Sequence, residues 1–420
     1  MKDRVKNRML HSWETAKTLL FWLVMAGIVG VVCGAAGGIF HIAVDEATTL
    51  RGHLPWLIYL LPFAGLIIVW TYRISGMEND SGTNQIIASV RSGKRPPLKL
   101  APLIFLGSVI THLFGGSAGR EGAALQIGGS LASGLGRLFK LGERSINVIV
   151  MCGMSGLFSA LFGTPITAAV FSMEVVSVGI FHYSALFPGL LSAYVATGIT
   201  RLMGIEPESY LLIGTPELGW LPMVQVGILS IVCAVLSILF CVIMHNSAHL
   251  YKKYIPNQYW RVLAGGILVV LFTLLEGSGD YNGAGGHIIE HALAGHVNVP
   301  WAFLFKMVFT ALTLGAGYRG GEIVPTFFVG ATFGCAIAPL LGLDPAFGAA
   351  IGMIALFCGV VNCPLASILL SVELFGAGGI LFFALACALS YLVSGKFSLY
   401  SSQKIVYSKL EPRFIDEQAH

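Results

Sequence analysis

Long apolar stretches, broken by glycine and proline rather than by charge, set the pattern of this chain. Eight runs lack Asp, Glu, Lys and Arg: 18–44, 52–72, 145–173, 175–200, 218–251, 323–343, 345–372 and 374–395. Each reaches the roughly 20 residues that a membrane-crossing helix needs. Shorter apolar segments lie at about 101–114, 122–136, 262–275 and 301–316. The pattern predicts an all-α integral membrane protein of 10 to 14 helices, several too short to span. The first run is too long for a signal-peptide core and reads as a retained helix.

Composition agrees. Of 420 residues, 55% are hydrophobic and 11% charged, against about 25% charged in a soluble domain. A disordered chain is excluded, since that class needs low hydrophobicity and high charge. The net charge of +4 is scattered over short loops, which argues against nucleic-acid binding. The eight cysteines lie in apolar stretches without zinc-ligand spacing, so they read as small buried hydrophobes. No metal or cofactor is implied. Lys2, Arg4, Lys6 and Arg8 make the N-terminus basic, as is the loop from Arg91 to Lys99. By the positive-inside rule both face the cytoplasm, together with a short polar tail. The expected layout is a cytoplasmic segment 1–17, a first membrane half 18–200, a linker 201–220, a second half 221–400 and a cytoplasmic tail 401–420 without a regulatory domain. The expected location is the cell membrane.

The two halves resemble each other. FGTPITAAVFSMEV at 162–175 matches VNCPLASILLSVEL at 361–374, each with a proline nine residues before a glutamate: Pro165 to Glu174, Pro364 to Glu373. Upstream of each lies a glycine-rich break with a glutamate, GSAGREGAALQIGG at 116–129 and GYRGGEIVPTFFVG at 317–330. Glutamate and proline are 44 residues apart in the first half and 42 in the second. Paired, glycine-interrupted apolar segments at matching places mark an inverted-repeat transporter with a site near the bilayer midplane.

Several residues carry candidate chemistry. Gly119, Arg120, Glu121 and Gly122 open an apolar helix, where bare backbone N–H groups and the positive end of the dipole attract an anion. Small-residue helix packing accounts for Gly115 and Gly119 but not for Arg120 and Glu121. An ionisable residue at membrane depth is a functional hypothesis by default. Ser81, Gly82, Thr83 and Asn84 precede another helix with hydroxyl and amide donors, a pattern that an ordinary N-cap also produces. Gly320 to Pro325 is the second-half counterpart, and Tyr400 follows the last apolar run. Gly153-Met154-Ser155-Gly156 imitates an intramembrane serine protease, but no motif supplies its histidine base, and this reading is disfavoured.

These residues resemble the CLC family of anion channels and proton-coupled anion antiporters over about 20–405. Gly119-Arg120-Glu121-Gly122 is the most specific element, with Ala123 where the family usually has proline. The resemblance implies a homodimer with one pore per subunit. It implies Glu121 as the gating carboxylate that competes with the anion and carries protons. Ser81 and Tyr400 would offer hydroxyls to the anion, and the backbone at Ile323 and Val324 would complete the site. Val175 stands where the family's chloride–proton antiporters carry an inner relay glutamate. That departure fits either a passive halide channel or the fluoride-exporting branch, to which Gly82-Thr83-Asn84-Gln85-Ile86, Gly320-Gly321-Glu322 with Pro325, and the spacing before Tyr400 are similar. Thr83, Gln85, Ser81 and Val324 depart from that branch. The expectation is exchange of a halide, fluoride before chloride, for protons; the protein is not expected to be an enzyme.

Overall fold

The computed structural model describes the backbone of residues 2–420 and the side chains of 13–420. The basic side chains of Lys2, Arg4, Lys6 and Arg8 therefore lie outside the described residues. The first half comprises α1 (Lys2–His53), α2 (Leu61–Ile74), α3 (Thr83–Ser92), α4 (Leu100–Leu113), α5 (Glu121–Leu138), α6 (Glu143–Phe162), α7 (Pro165–Glu174), β1 (Ser177–Val178) and α8 (Leu186–Leu202). The second comprises α9 (Trp220–Tyr254), α10 (Gln258–Glu276), α11 (Gly286–Leu293), α12 (Ala302–Ala316), α13 (Ile323–Ile337), α14 (Pro345–Val361), α15 (Pro364–Phe375) and α16 (Ile380–Val393). Strands β2 (Lys404–Tyr407) and β3 (Phe414–Gln418) follow. Seven of the described helices are long and apolar enough to cross a membrane.

Two apolar runs each hold two α-helices separated at a left-handed residue. The run 145–173 breaks between α6 and α7 at Gly163, in the left-handed conformation at φ +70°. The run 345–372 breaks between α14 and α15 at Asn362, φ +56°. Hydropathy cannot see these breaks, because Gly-Thr-Pro and Asn-Cys-Pro interrupt the backbone without adding charge. The proline that follows each break starts the next helix, where its missing N–H would be unpaired anyway. Charge hid α11, whose His287, Glu290 and His291 conceal a helix of eight residues. The two tail strands join β1 of the first half in a sheet of order β1-β2-β3, with β1 and β2 parallel and β2 and β3 antiparallel.

The resemblance between the halves is physical. In the first, α5 crosses α6 where Gly128 and Gly153 meet: a Cβ on either would stand 2.1 Å from the other's carbonyl oxygen. In the second, α13 crosses α14 at Gly330 and Gly352, where an added Cβ would come within 2.5 Å and 2.3 Å. Close backbone approach through small residues is how helices associate where lipid removes the hydrophobic drive.

The repeated Pro-to-Glu segments interlock. Glu373, near the end of α15, accepts from the N–H groups of Ile166 (3.0 Å) and Thr167 (2.7 Å) at the start of α7. Glu174, the last residue of α7, accepts from Leu365 (3.2 Å) and Ala366 (2.9 Å) at the start of α15. Each carboxylate caps the other helix, satisfying N–H groups that have no partner in their own helix and that are costly to leave bare in hydrocarbon. Glu373→Ala is expected to lower stability by about 1 kcal/mol, as loss of a helix cap does, and to lower the thermal unfolding temperature in detergent. An unchanged temperature would mean that other groups cap α7.

Candidate functional site

Two of the broken ends meet at the centre of the molecule. The chain before α5 and the chain before α13 pair as a two-residue antiparallel bridge. Gly119 N–H donates to the Gly321 carbonyl and Gly321 N–H to the Gly119 carbonyl, both at 2.7 Å. The starts of α5 and α13 are thereby fixed beside each other. Only glycine permits this. A Cβ on Gly321 would lie 2.4 Å from the Gly122 nitrogen, and one on Gly122 would lie 2.8 Å from the Gly321 Cα.

Glu121, the first residue of α5, is fully buried. Its Oε2 accepts from the Arg120 N–H at 3.0 Å. The carboxylate thus folds back over the start of its own helix, where an anion would be drawn. Oε1 has no hydrogen-bond partner and lies 3.6 Å from the Arg120 Nε. Gly119 makes room for this pose, since a Cβ there would stand 2.7 Å from Oε2 and 3.1 Å from both the Val324 Cβ and the Pro325 Cδ.

The other sequence-derived residues divide into two groups. Tyr400 is buried and its hydroxyl has no partner. Ile323 and Val324 are buried in the first turn of α13. Ser81 and Gly82 line a vestibule of about 860 Å³ that reaches Tyr400 and Glu322. Thr83 and Asn84 line the same vestibule but are partly committed elsewhere. The Thr83 hydroxyl donates to the Gly122 carbonyl at 3.2 Å, so its proton is not free for an anion. The Asn84 Oδ1 accepts from the Ser402 N–H at 2.8 Å and ties α3 to the Tyr400 loop, leaving its amide nitrogen for other partners.

Sequence reading gave no role to Gln126 or Glu208 and assigned Glu322 none of its own. Gln126, one turn after Gly122, donates to Thr83 Oγ1 (3.3 Å) and the Gly122 carbonyl (3.1 Å), while its own buried oxygen has no partner; the four-residue spacing was the available signal. Glu322 precedes α13 and lines the inner end of the vestibule. Arg120 Nη2 donates to Glu208 Oε1 at 2.6 Å, a contact from the linker that no local pattern announces. Farther away, the Ser155 hydroxyl donates to the Gly189 carbonyl at 3.0 Å. That bond points it at backbone and gives no support to the protease reading.

Also lining the vestibule, Arg319 donates to Asp80 Oδ2 at 3.1 Å and lies over the Tyr72 ring at 3.9 Å. The sequence reading did not single out this pair.

The glycines make separable predictions. Gly122→Ala drives a methyl into backbone that cannot yield and is expected to lower thermal stability sharply. Gly119→Ala meets first the mobile end of Glu121, and is expected to move the carboxylate while costing less stability. Thermal unfolding of both variants checks this; equal losses would contradict it.

The family model described as voltage gated chloride channel matches residues 63–395. A chloride/fluoride channel protein of Pseudomonas syringae pv. tomato is 39% identical over 92% of this chain and 87% of its own length. An H(+)/Cl(-) exchange transporter, ClcA of Vibrio vulnificus, is 26% identical over 89% of this chain and 85% of its own. A solved CLC-type fluoride/proton antiporter superposes with a TM-score of 0.89 at 31% identity, covering 92% of this chain and 98% of its own. A cyanobacterial Cl-/H+ antiporter, at 20% identity and a TM-score of 0.78, shares the fold. With its all-α inverted repeat, its multi-pass membrane character and its paired glycine breaks, the chain belongs to the voltage-gated chloride channel, or CLC, family.

Proposed function

We propose that the protein exchanges a halide for protons across the membrane, with fluoride preferred to chloride. The observation that carries this reading is the pose of Glu121. A buried carboxylate sits over a helix start with one oxygen unpartnered. A carboxylate is itself an anion and competes with a halide for the same N–H groups. Protonated, it loses that attraction and swings away. Alternation of anion and proton at one place then yields exchange, and no covalent step is needed.

The path runs from the vestibule past Ser81 and Tyr400 to the first turns of α5 and α13. Buried polar atoms without partners are rare in folded proteins. Here the Tyr400 hydroxyl, the Gln126 oxygen and Glu121 Oε1 are all unpartnered. Tyr400 supplies a donor for the halide, and Glu322 supplies a second carboxylate on the vestibule side. Fluoride is smaller and more strongly hydrated than chloride, so a strong hydroxyl donor favours it. The similarity to a chloride/fluoride channel protein and to a fluoride/proton antiporter supports the same preference.

Val175 is fully buried and its carbonyl accepts from the Gln403 amide at 3.0 Å. No carboxylate stands at that position, which is the observation favouring the second reading, a passive halide channel. In the exchange reading, protons bypass it. The protein acts as a homodimer in the cell membrane, with both termini and the vestibule on the cytoplasmic side.

Glu121→Gln is expected to abolish proton movement driven by a fluoride gradient in liposomes, read with a pH electrode beside a fluoride electrode. Proton uptake against a gradient in this variant would remove Glu121 from the mechanism. Tyr400→Phe deletes a donor to a charged ligand, worth about 1.5–3 kcal/mol. It is expected to raise the half-saturating fluoride concentration tenfold or more. An unchanged value would place the anion away from Tyr400.

A further inference from the structure

Arg120 is shared between two carboxylates. Its Nη2 donates to Glu208 Oε1 at 2.6 Å, and its Nε lies 3.6 Å from Glu121 Oε1. Nη1 stands 3.3 Å from the Nδ1 of His41 on α1. The Glu121 side chain is wholly buried, whereas those of Arg120 and Glu208 are 16% and 27% exposed. Glu208 is therefore the outermost member of the three.

Glu208 is held firmly for a linker residue. Its own N–H donates to the carbonyl of Phe162, the last residue of α6, at 3.0 Å. Pro207 packs on Gly163, where an added Cβ would stand 2.4 Å from it. Two residues on, Tyr210 N–H donates to the Leu374 carbonyl at 2.8 Å, and the Tyr210 hydroxyl reaches Glu208 Oε2 at 3.4 Å. The linker thus crosses both repeat halves and presents a single carboxylate to Arg120. It lies at the end of the molecule away from the vestibule. It precedes α9, a helix of 35 residues and so about 52 Å long, whose far end carries the vestibule residue Lys252.

We infer that Glu208 is a positioning residue for the gate, which divides the charge of Arg120 so that Glu121 is held loosely enough to take up a proton and move. This rests on the gating role proposed for Glu121. One guanidinium cannot fully neutralise two carboxylates, and the shorter contact belongs to Glu208. While Glu208 keeps its charge, Arg120 is largely spoken for. With Glu208 neutral, the whole positive charge turns to Glu121 and favours its ionised form, which keeps the anion's seat filled. Other titratable and charged groups around the trio are His41 and Asp45 on α1, His112 on α4 with Arg51 and Lys306 beyond it, Tyr210 on the linker, Glu290 near Tyr210 on α11, and Tyr400 and Glu322 on the inner side. None of them is bonded to Arg120 by a carboxylate.

The test is the pH profile of fluoride-driven proton uptake in liposomes for the unaltered protein, Glu208→Gln, Glu208→Asp and Glu121→Gln. Glutamine keeps the shape and a hydrogen bond but removes the charge. The profile of Glu208→Gln is expected to move toward acid by about one pH unit, the lower end of the effect of a close opposite charge on a carboxylate. Glu208→Asp, which keeps the charge, is expected to return most of that shift. A Glu208→Gln profile superimposable on the unaltered one would overturn the inference, as would an equal shift in Glu208→Asp, which would make the effect one of packing. Glu121→Gln keeps the two questions apart. If it still moves protons, the gating role itself fails; if it does not and Glu208→Gln is unshifted, only the part given to Glu208 fails.

Discussion

Everything at the centre of this protein depends on a backbone contact between two glycines. Gly119 and Gly321 exchange N–H to carbonyl bonds at 2.7 Å, across a repeat offset of about 200 residues visible in the sequence. That bridge fixes the starts of α5 and α13 side by side inside the membrane. Helix starts carry unpaired N–H groups and a partial positive charge. Two of them lie side by side here, with the Arg120 guanidinium 3.6 Å from Glu121 Oε1. The same contact explains the surrounding glycines, because a methyl at Gly122 or Gly321 would strike backbone. The pose of Glu121 fits the same place, because a carboxylate is drawn to unpaired N–H groups at a helix start.

A membrane protein can carry broken helices only where the freed backbone is buried in protein or borders water. The interlocked carboxylates meet that demand. Glu174 and Glu373 each cap the helix of the opposite half, so the two breaks are satisfied by each other. The crossings of α5 on α6 and α13 on α14 repeat the same glycine-to-carbonyl approach. Within this frame Glu121 is buried, held by the Arg120 N–H and beside an arginine shared with the linker.

Much of this was legible in the chain, and the parts that were not have identifiable causes. The membrane class, the repeat and the Gly-Arg-Glu-Gly break could be read because each is a contiguous pattern. Glu174 and Glu373 stood out only as matched landmarks; their partners are some 190 to 210 residues away, which periodicity cannot reveal. Hydropathy fused α6 with α7 and α14 with α15, because left-handed Gly163 and Asn362 break a helix without interrupting an apolar run. Thr83 and Asn84 presented the right donors for an anion, yet the fold binds the Thr83 proton to Gly122 and the Asn84 oxygen to Ser402. Local sequence shows which groups a residue owns, not which neighbours claim them. Glu208 shows the limit most plainly, being one acidic residue in an irregular linker whose contact with Arg120 no local pattern announces.

The central claim is that anion and proton movements are coupled at one buried carboxylate. The most direct measurement uses the purified protein in liposomes, with fluoride and pH electrodes read together and chloride gradients applied in parallel. A fluoride gradient is predicted to drive proton uptake, with a much weaker response to chloride. Rapid anion flux with no accompanying proton movement would contradict the account and leave Glu121 as a gate alone.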